Sequence, residues 1–388
     1  MTIAVAQVPD MTTRFAICVA LLLCMAVGVA KAQDRPSANL SNGKPLIIDT
    51  DMGTDDWLAI SYIAQNPKID LLGVTIVGNG LASCDYAGRN AQHLLSMSIR
   101  NANKPIGCGS SWPMDGYASY PSIWRETGAD MMGEMAKSAV PSQRFPDGPT
   151  LLAQLLRRSQ VPVNILAIGS MTNIATVITV EPELKSKIQR IYSMGGAVRT
   201  GGNLRVHGFT DHHQNTKAEW NYYIDPVAAK IVFDSGIPIT LVPLDATNKV
   251  PLTSGFIERM NRSSQQPLEA FTHRIFNNIV KSTTNGEYFH WDPLTAAVAA
   301  NPDLCDEGSV IKLDVVTDNG KDKGLPNGQP AEFFPLLNVN GKKRTPLNEH
   351  AAGATVMADH GKPIQVCLHV DASRFENNFI DTLRFPNQ

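Results

Sequence analysis

Beyond its first forty residues the chain alternates two kinds of apolar segment. Short β-branched runs at 45–48, 71–77, 163–168, 188–194 and 239–242 read as strands. Between them, apolar positions recur at helical spacing in 57–64, 87–97, 172–180 and 227–233. The strand runs are mostly apolar, with polar residues such as Asn164, Gln189 and Arg190 breaking in without strict alternation, so both of their faces are covered. A helix between successive strands makes those strands parallel. The pattern therefore predicts one α/β domain over 44–388, with an open, mostly parallel, Rossmann-like sheet and helices on both faces. No repeat, low-complexity tract or linker interrupts it. Two long polar stretches, 203–217 with His207, His212 and His213, and 318–353, read as loops over the sheet or plain surface.

The N-terminus follows a different rule. Arg14 precedes an unbroken apolar run from Phe15 to Val29, followed by Ala30-Lys31-Ala32. A basic residue, a short apolar core and an A-x-A site predict a signal peptide over 1–32, cleaved after Ala32. The run is too short to span a bilayer comfortably. Residues 33–43 are polar and read as a flexible lead-in. The expectation is a periplasmic or secreted protein without stable membrane insertion after cleavage.

Six cysteines include Cys18 and Cys24 in that leader, leaving Cys84, Cys108, Cys305 and Cys367. None belongs to a C-x-x-C pair, which argues against a thiolate metal site. Up to two disulfides, or buried free thiols, both agree with the spacing. The 34 Lys and Arg against 36 Asp and Glu give a net charge of −2 without a basic run, so a nucleic-acid polymer is excluded as partner. A small ligand is expected.

The densest chemistry is Asp49-Thr50-Asp51-Met52-Gly53-Thr54-Asp55-Asp56, four carboxylates in eight residues where the first strand meets the first helix. In open α/β sheets ligands bind at this carboxyl end. Like charges so close repel unless a cation gathers them, and oxygen-only donors select a hard ion such as Ca2+ or Mg2+. Helix capping accounts for one or two of these aspartates only.

This segment resembles the D-x-D-P-G-x-D-D motif of the inosine–uridine-preferring nucleoside hydrolase family. Further segments resemble the family in the same order. They are Val74 to Asn79, Ile168-Gly169-Ser170-Met171-Thr172-Asn173, Met194-Gly195-Gly196, Ala218-Glu219-Trp220-Asn221 and Trp291-Asp292-Pro293-Leu294. The resemblance implies a nucleoside hydrolase-like fold and hydrolysis of ribonucleosides to ribose and free base. It implies that Asp51, Asp56 and Asp292 hold Ca2+ through side chains and Ile168 through its carbonyl. Asp51 would take the proton of a calcium-bound water. Asp55, Asn79, Asn203, Glu219 and Asn221 would bind ribose hydroxyls, Met194 would pack under the sugar, and Asp49 would support the metal site from behind. A dimer or tetramer is also implied.

Ordinary roles compete with several of these: Asn79 as a turn cap, Glu219 and Asn221 as surface residues, Met194 as core, and Asp292 as a helix N-cap. The chain also departs from the pattern. Met52 and Ser170 stand where the family has proline, and the stretch between Asn203 and Glu219 is longer than usual, which makes Asn215 an alternative to Asn203. Trp291, with His290 before it, occupies a place where some members stack a tryptophan on a purine. Trp124 or Trp112 is a candidate second face, and purine nucleosides are therefore expected. A Mg2+-dependent phosphatase and a non-catalytic ribose or nucleoside binder are the rival readings.

Overall fold

Strand β1, Lys44–Thr50, shows why the sheet is covered twice. Leu46 and Ile48 enter one apolar cluster while Ile47, between them, enters another on the opposite face. Side chains of successive strand residues point to opposite faces, so an unbroken apolar run needs a helical layer on each side.

The computed structural model describes residues 43–114, 120–135, 144–260, 266–282, 288–317 and 350–386. The predicted signal peptide, the lead-in up to residue 42 and most of the 318–353 stretch lie outside them. After β1 come α1 (Thr54–Gln65), β2 (Ile69–Ile76), α2 (Cys84–Ser96), β3 (Ile106–Cys108), α3 (Ser122–Asp130) and α4 (Gly148–Arg158). Then follow β4 (Val163–Ile168), α5 (Thr172–Val180), β5 (Ile188–Met194), α6 (Trp220–Ile224), α7 (Pro226–Asp234), β6 (Ile239–Val242) and α8 (Leu244–Thr247). The remainder comprises α9 (Ser254–Met260), α10 (Pro267–Ser282), α11 (Trp291–Ala300), β7 (Cys305–Val315), β8 (Thr355–Met357), β9 (Lys362–Val370) and α12 (Ala372–Leu383).

The nine strands form one sheet in the order β3-β2-β1-β4-β5-β6-β9-β7-β8. Every pairing is parallel except those of β7, which runs antiparallel to both β9 and β8. The expected mostly parallel α/β sheet is therefore present, with an antiparallel edge added. Helices α1, α2, α10, α11 and α12 pack on the face that receives Leu46 and Ile48. Helices α4, α5 and α7 pack on the face of Ile47. Chain order reverses at β1, which lies between β2 and β4. Such a switch point leaves a crevice beyond the strand ends. Among the described residues no helix is long and apolar enough to cross a membrane.

Both cysteine pairs are disulfides: Cys84–Cys108 joins the start of α2 to the end of β3, and Cys305–Cys367 joins β7 to β9. That settles the alternative of free thiols.

Candidate active site

The loop after β1 is shaped around its carboxylates. Gly53 caps α1, and its N–H donates to Asp56 Oδ2 at 2.9 Å and Asp51 Oδ1 at 3.1 Å. The Thr50 hydroxyl and the Asp51 N–H both donate to Asp56 Oδ1. Asp55 and Asp56 lie in the first turn of α1, where the helix dipole favours negative charge. Space for Asp51 is made by two glycines: a Cβ on Gly80 or Gly169 would stand 2.3 or 2.7 Å from Asp51 Cβ. Met52 is left-handed at φ 61, and its N–H donates to the Thr50 hydroxyl at 3.0 Å. A proline allows neither feature, so this turn is built differently from one with proline at that place.

Helix α11 packs against α1 and brings Asp292 to the same point. One carboxylate oxygen from each of Asp55, Asp56 and Asp292 lies within 4.8 Å of the others. Asp292 Oδ1 is buried without a hydrogen-bond partner. Asp292 is not the helix N-cap; His290 takes that position. Burial first, then the neighbouring carboxylates, push Asp56 and Asp292 well above the ordinary carboxylate range and Asp55 up to about 7. Burial raises Asp51 too, against hydrogen bonds and the Arg125 charge that lower it. Mutual repulsion in a dry site, an orphaned oxygen and oxygen-only donors fit a bound hard cation. Asp55, expected at the sugar, belongs to this group, and Asp51, expected as a ligand, shares the Gly53 N–H with Asp56. Ile168 ends β4 opposite Thr50, one residue before the Gly169 that touches Asp51.

Asp49 points into a different pocket. Its Oδ1 accepts from Thr75 Oγ1 at 2.6 Å and Asn173 Nδ2 at 2.8 Å, its Oδ2 has no partner, and burial pushes it up to about 7. Asn173 is admitted because Gly109 lacks a Cβ, which would sit 2.0 Å from Asn173 Oδ1.

The candidate sugar ligands are buried and oriented, not surface groups. Asn79 accepts from Ser170 Oγ at 2.7 Å and donates to Thr172 Oγ1 at 2.9 Å; Thr172 in turn donates to Asp225 Oδ2 at 2.7 Å. Glu219 caps α6, taking the N–H groups of Asn221 and Gly196 at 2.9 and 3.1 Å, and burial pushes it up to about 8. Gly196 turns with φ 72, a backbone suited to glycine. Asn221 Nδ2 donates to the Met194 carbonyl at 3.3 Å and lies 3.5 Å from its sulfur, so Met194 belongs to both core and site. Asn203 accepts from Trp220 N at 3.1 Å and is half-buried beside Glu219 and Asn221. Asn215 is tied to Ala352, Lys217 and Ala218, which makes it a loop brace.

The aromatic residues around the site fall into separate groups. His290 is enclosed by Phe256, Phe276, Phe375 and Phe379, with ring centroids 4.9–6.4 Å away, and neither ring nitrogen has a partner. Burial lowers it to about 3, so its ring is neutral, not imidazolium, at neutral pH. Trp291 meets Tyr288 and Phe289 edge-on or tilted at 4.9 and 5.8 Å, whereas Trp124 packs on Trp220 and Phe209. No ring contact joins Trp291 to Trp124 among the described residues. In the 203–217 loop, His207 faces Asp211 at the surface, and His213 bonds Tyr223 at 3.0 Å.

Sequence reasoning missed Tyr120, Tyr288 and Asp225. The Tyr120 hydroxyl lies 2.8 Å from Asp51 Oδ2 and 3.0 Å from Asn221 Oδ1. The Tyr288 hydroxyl is buried without a partner and feels the charges of Asp55, Asp292 and Asp56. None of the three stands in a motif; only the aromatic run from Tyr288 to Trp291 offered a signal.

Carboxylates gathered beside oriented amides and a second acid at a sheet's switch point form an acidic cluster whose oxygens suit a metal ion. The chain belongs to the inosine-uridine preferring nucleoside hydrolase family, whose model matches residues 46–377. Members of that family are metal-dependent hydrolases acting on nucleosides, which sets the phosphatase reading aside. Nucleoside hydrolase 3 of Arabidopsis thaliana is 32% identical over 68% of this chain and 36% of its own length, so the chain spans little over a third of that relative. A pyrimidine-specific ribonucleoside hydrolase, RihA, of Salmonella arizonae is 34% identical over 60% of this chain and 70% of its own. The solved purine-preferring ribonucleoside hydrolase from Gardnerella vaginalis superimposes with a TM-score of 0.63 at 26% identity, covering 88% of this chain and 98% of that one.

Proposed function

We propose that this protein hydrolyses the N-glycosidic bond of ribonucleosides, giving ribose and free base, with Asp51 as general base. The observation that carries the reading is the convergence of Asp51, Asp55, Asp56 and Asp292 at the switch point, beside the oriented amides of Asn79 and Asn221. Asp51, Asp56 and Asp292 would hold the ion through their side chains and Ile168 through its carbonyl, with Asp55 close beside them. Calcium suits this oxygen-only set, and when bound it lowers the pKa of water and accepts the sugar hydroxyls. Asp51 removes the proton from the attacking water. Asn79, Asn203, Glu219 and Asn221 bind ribose hydroxyls, and Met194 supports the ring from below. The transition state carries positive charge on the sugar, and the surrounding carboxylates stabilise it.

Within that reaction a purine base is favoured. Support comes from Trp291 at the start of α11, half-buried beside Asp292, and from Trp124 and Phe209 beside Trp220. The names of the relatives point both ways. Two disulfides agree with export through the N-terminal leader, and the working form is taken to be a homo-oligomer.

Ribose release from inosine, adenosine, guanosine, uridine and cytidine, by the chain from Gln33 onwards with calcium, tests both parts. Release from none, with ribose still binding, rejects hydrolysis in favour of a sugar binder. Faster release from uridine and cytidine rejects only the base preference.

A further inference from the structure

Tyr120 sits at the centre of this site without belonging to any motif. It precedes Pro121, the cap of α3, and is 5% exposed. Its ring stacks on Trp220 at 5.2 Å with 24° between planes. Trp220 is itself fixed, its indole N–H donating to the Asn203 carbonyl at 3.1 Å and its ring meeting Trp124 at 5.3 Å. The phenol oxygen is therefore held in place by its own aromatic neighbours before any polar contact is counted.

The hydroxyl faces two acceptors, Asp51 Oδ2 at 2.8 Å and Asn221 Oδ1 at 3.0 Å. Neither acceptor turns freely. Asp51 Oδ1 is held by the Gly53 N–H, so the Tyr120 bond to Oδ2 pins the second oxygen and fixes the carboxylate plane. The Asn221 amide is oriented by the donation of its Nδ2 to Met194 O. A phenol has one proton, and a carboxylate is the stronger acceptor. The phenol therefore donates mainly to Asp51, and the Asn221 oxygen keeps acceptor capacity for a sugar hydroxyl.

We infer that Tyr120 is a positioning residue for the hydrolysis: its hydroxyl sets the plane of the Asp51 carboxylate and keeps that group in register with Asn221. The inference rests on the reading of Asp51 as base. Its consequence is specific, because a carboxylate free to rotate still binds and still attracts charge but meets the attacking water in fewer productive orientations. Small misplacements of a catalytic group cost on the order of a hundredfold in rate.

The test compares the wild type with Tyr120→Phe, which keeps the stacked ring, and Tyr120→Leu, which removes ring and hydroxyl together. Kinetics on the best nucleoside are read beside the thermal midpoint and calcium affinity by calorimetry. For Tyr120→Phe the expected result is a fall in kcat of roughly ten- to a hundredfold. KM should stay within about threefold, calcium affinity within about twofold and Tm close to wild type, because the ring and the ion's ligands remain. Tyr120→Leu should lose the same kcat and a clear share of Tm. Unchanged kcat in Tyr120→Phe overturns the inference. So does a loss of kcat in Tyr120→Phe that comes with matching losses in Tm and KM, since packing alone gives that pattern. A wild type that releases no ribose has instead refuted the underlying assignment of function.

Discussion

In the proposed reaction Asp51 and Met52 are neighbours with opposite tasks, one chemical and one conformational. Asp51→Asn keeps the size of the side chain and its acceptor for Gly53 but removes the base. The expected loss is about a thousandfold in kcat with an unaltered fold, within the usual range for general-base removal. Turnover within tenfold of wild type takes the role away from Asp51. Met52 is buried and left-handed. Met52→Pro has to abandon φ 61 and the hydrogen bond to Thr50, at a cost of about 2–4 kcal/mol. A Tm that does not fall on that substitution contradicts the turn described here. The acidic motif was legible because four aspartates in eight residues exceed what helix capping uses. The division of labour among them was not. Spacing places Asp51 and Asp55 in one loop but does not say how close each comes to Asp56 and Asp292, which the fold alone brings together. Tyr120 was invisible for a related reason: a single tyrosine outside any periodic segment acquires meaning only from what the fold brings to its hydroxyl.

At the level of elements, legibility followed burial. Strands β1, β2, β4, β5 and β6 read directly from sequence because both faces are largely covered and their residues are mostly apolar. Strand β7 went unread. It is largely exposed, pairs antiparallel at the sheet edge and carries Asp306, Glu307 and Lys312 among its residues. The cysteines mark where elements need an extra tie. Cys84–Cys108 encloses 24 positions of sequence between the loop bearing Asn79 and the short strand β3. Cys305–Cys367 spans 62 and anchors β7 to β9. Chain-entropy arguments assign about 3.5 kcal/mol to the first and about 4.3 kcal/mol to the second. Replacing each pair by serine should therefore lower Tm, the second more than the first. Cys84→Ser with Cys108→Ser should also raise KM, because the Asn79 loop loses its covalent brace. An unchanged KM in that variant separates the disulfide from the sugar site, whatever the change in Tm.

For the whole molecule, the site is a source of instability that a bound ion would offset. Asp49 and Asp55 rise to about 7 and Glu219 to about 8, burial being the first cause in each. Unfolded, these groups titrate near 4. A group whose folded pKa is raised stabilises the fold below its unfolded pKa, and that contribution disappears as pH climbs through the folded value. The metal-free protein should therefore become less stable between about pH 4 and pH 8. A cation among Asp55, Asp56 and Asp292 reverses the sign for those groups, since it favours their charged forms and binds only the folded chain. The Tm difference between calcium and chelator should thus widen as pH rises from 5 to 8. Calorimetry across that range measures it directly. A difference that stays constant means that the ion does not neutralise these carboxylates. Equal Tm values with and without chelator at pH 8 mean that no ion is held there, and Asp55, Asp56 and Asp292 then lie together without a neutralising partner.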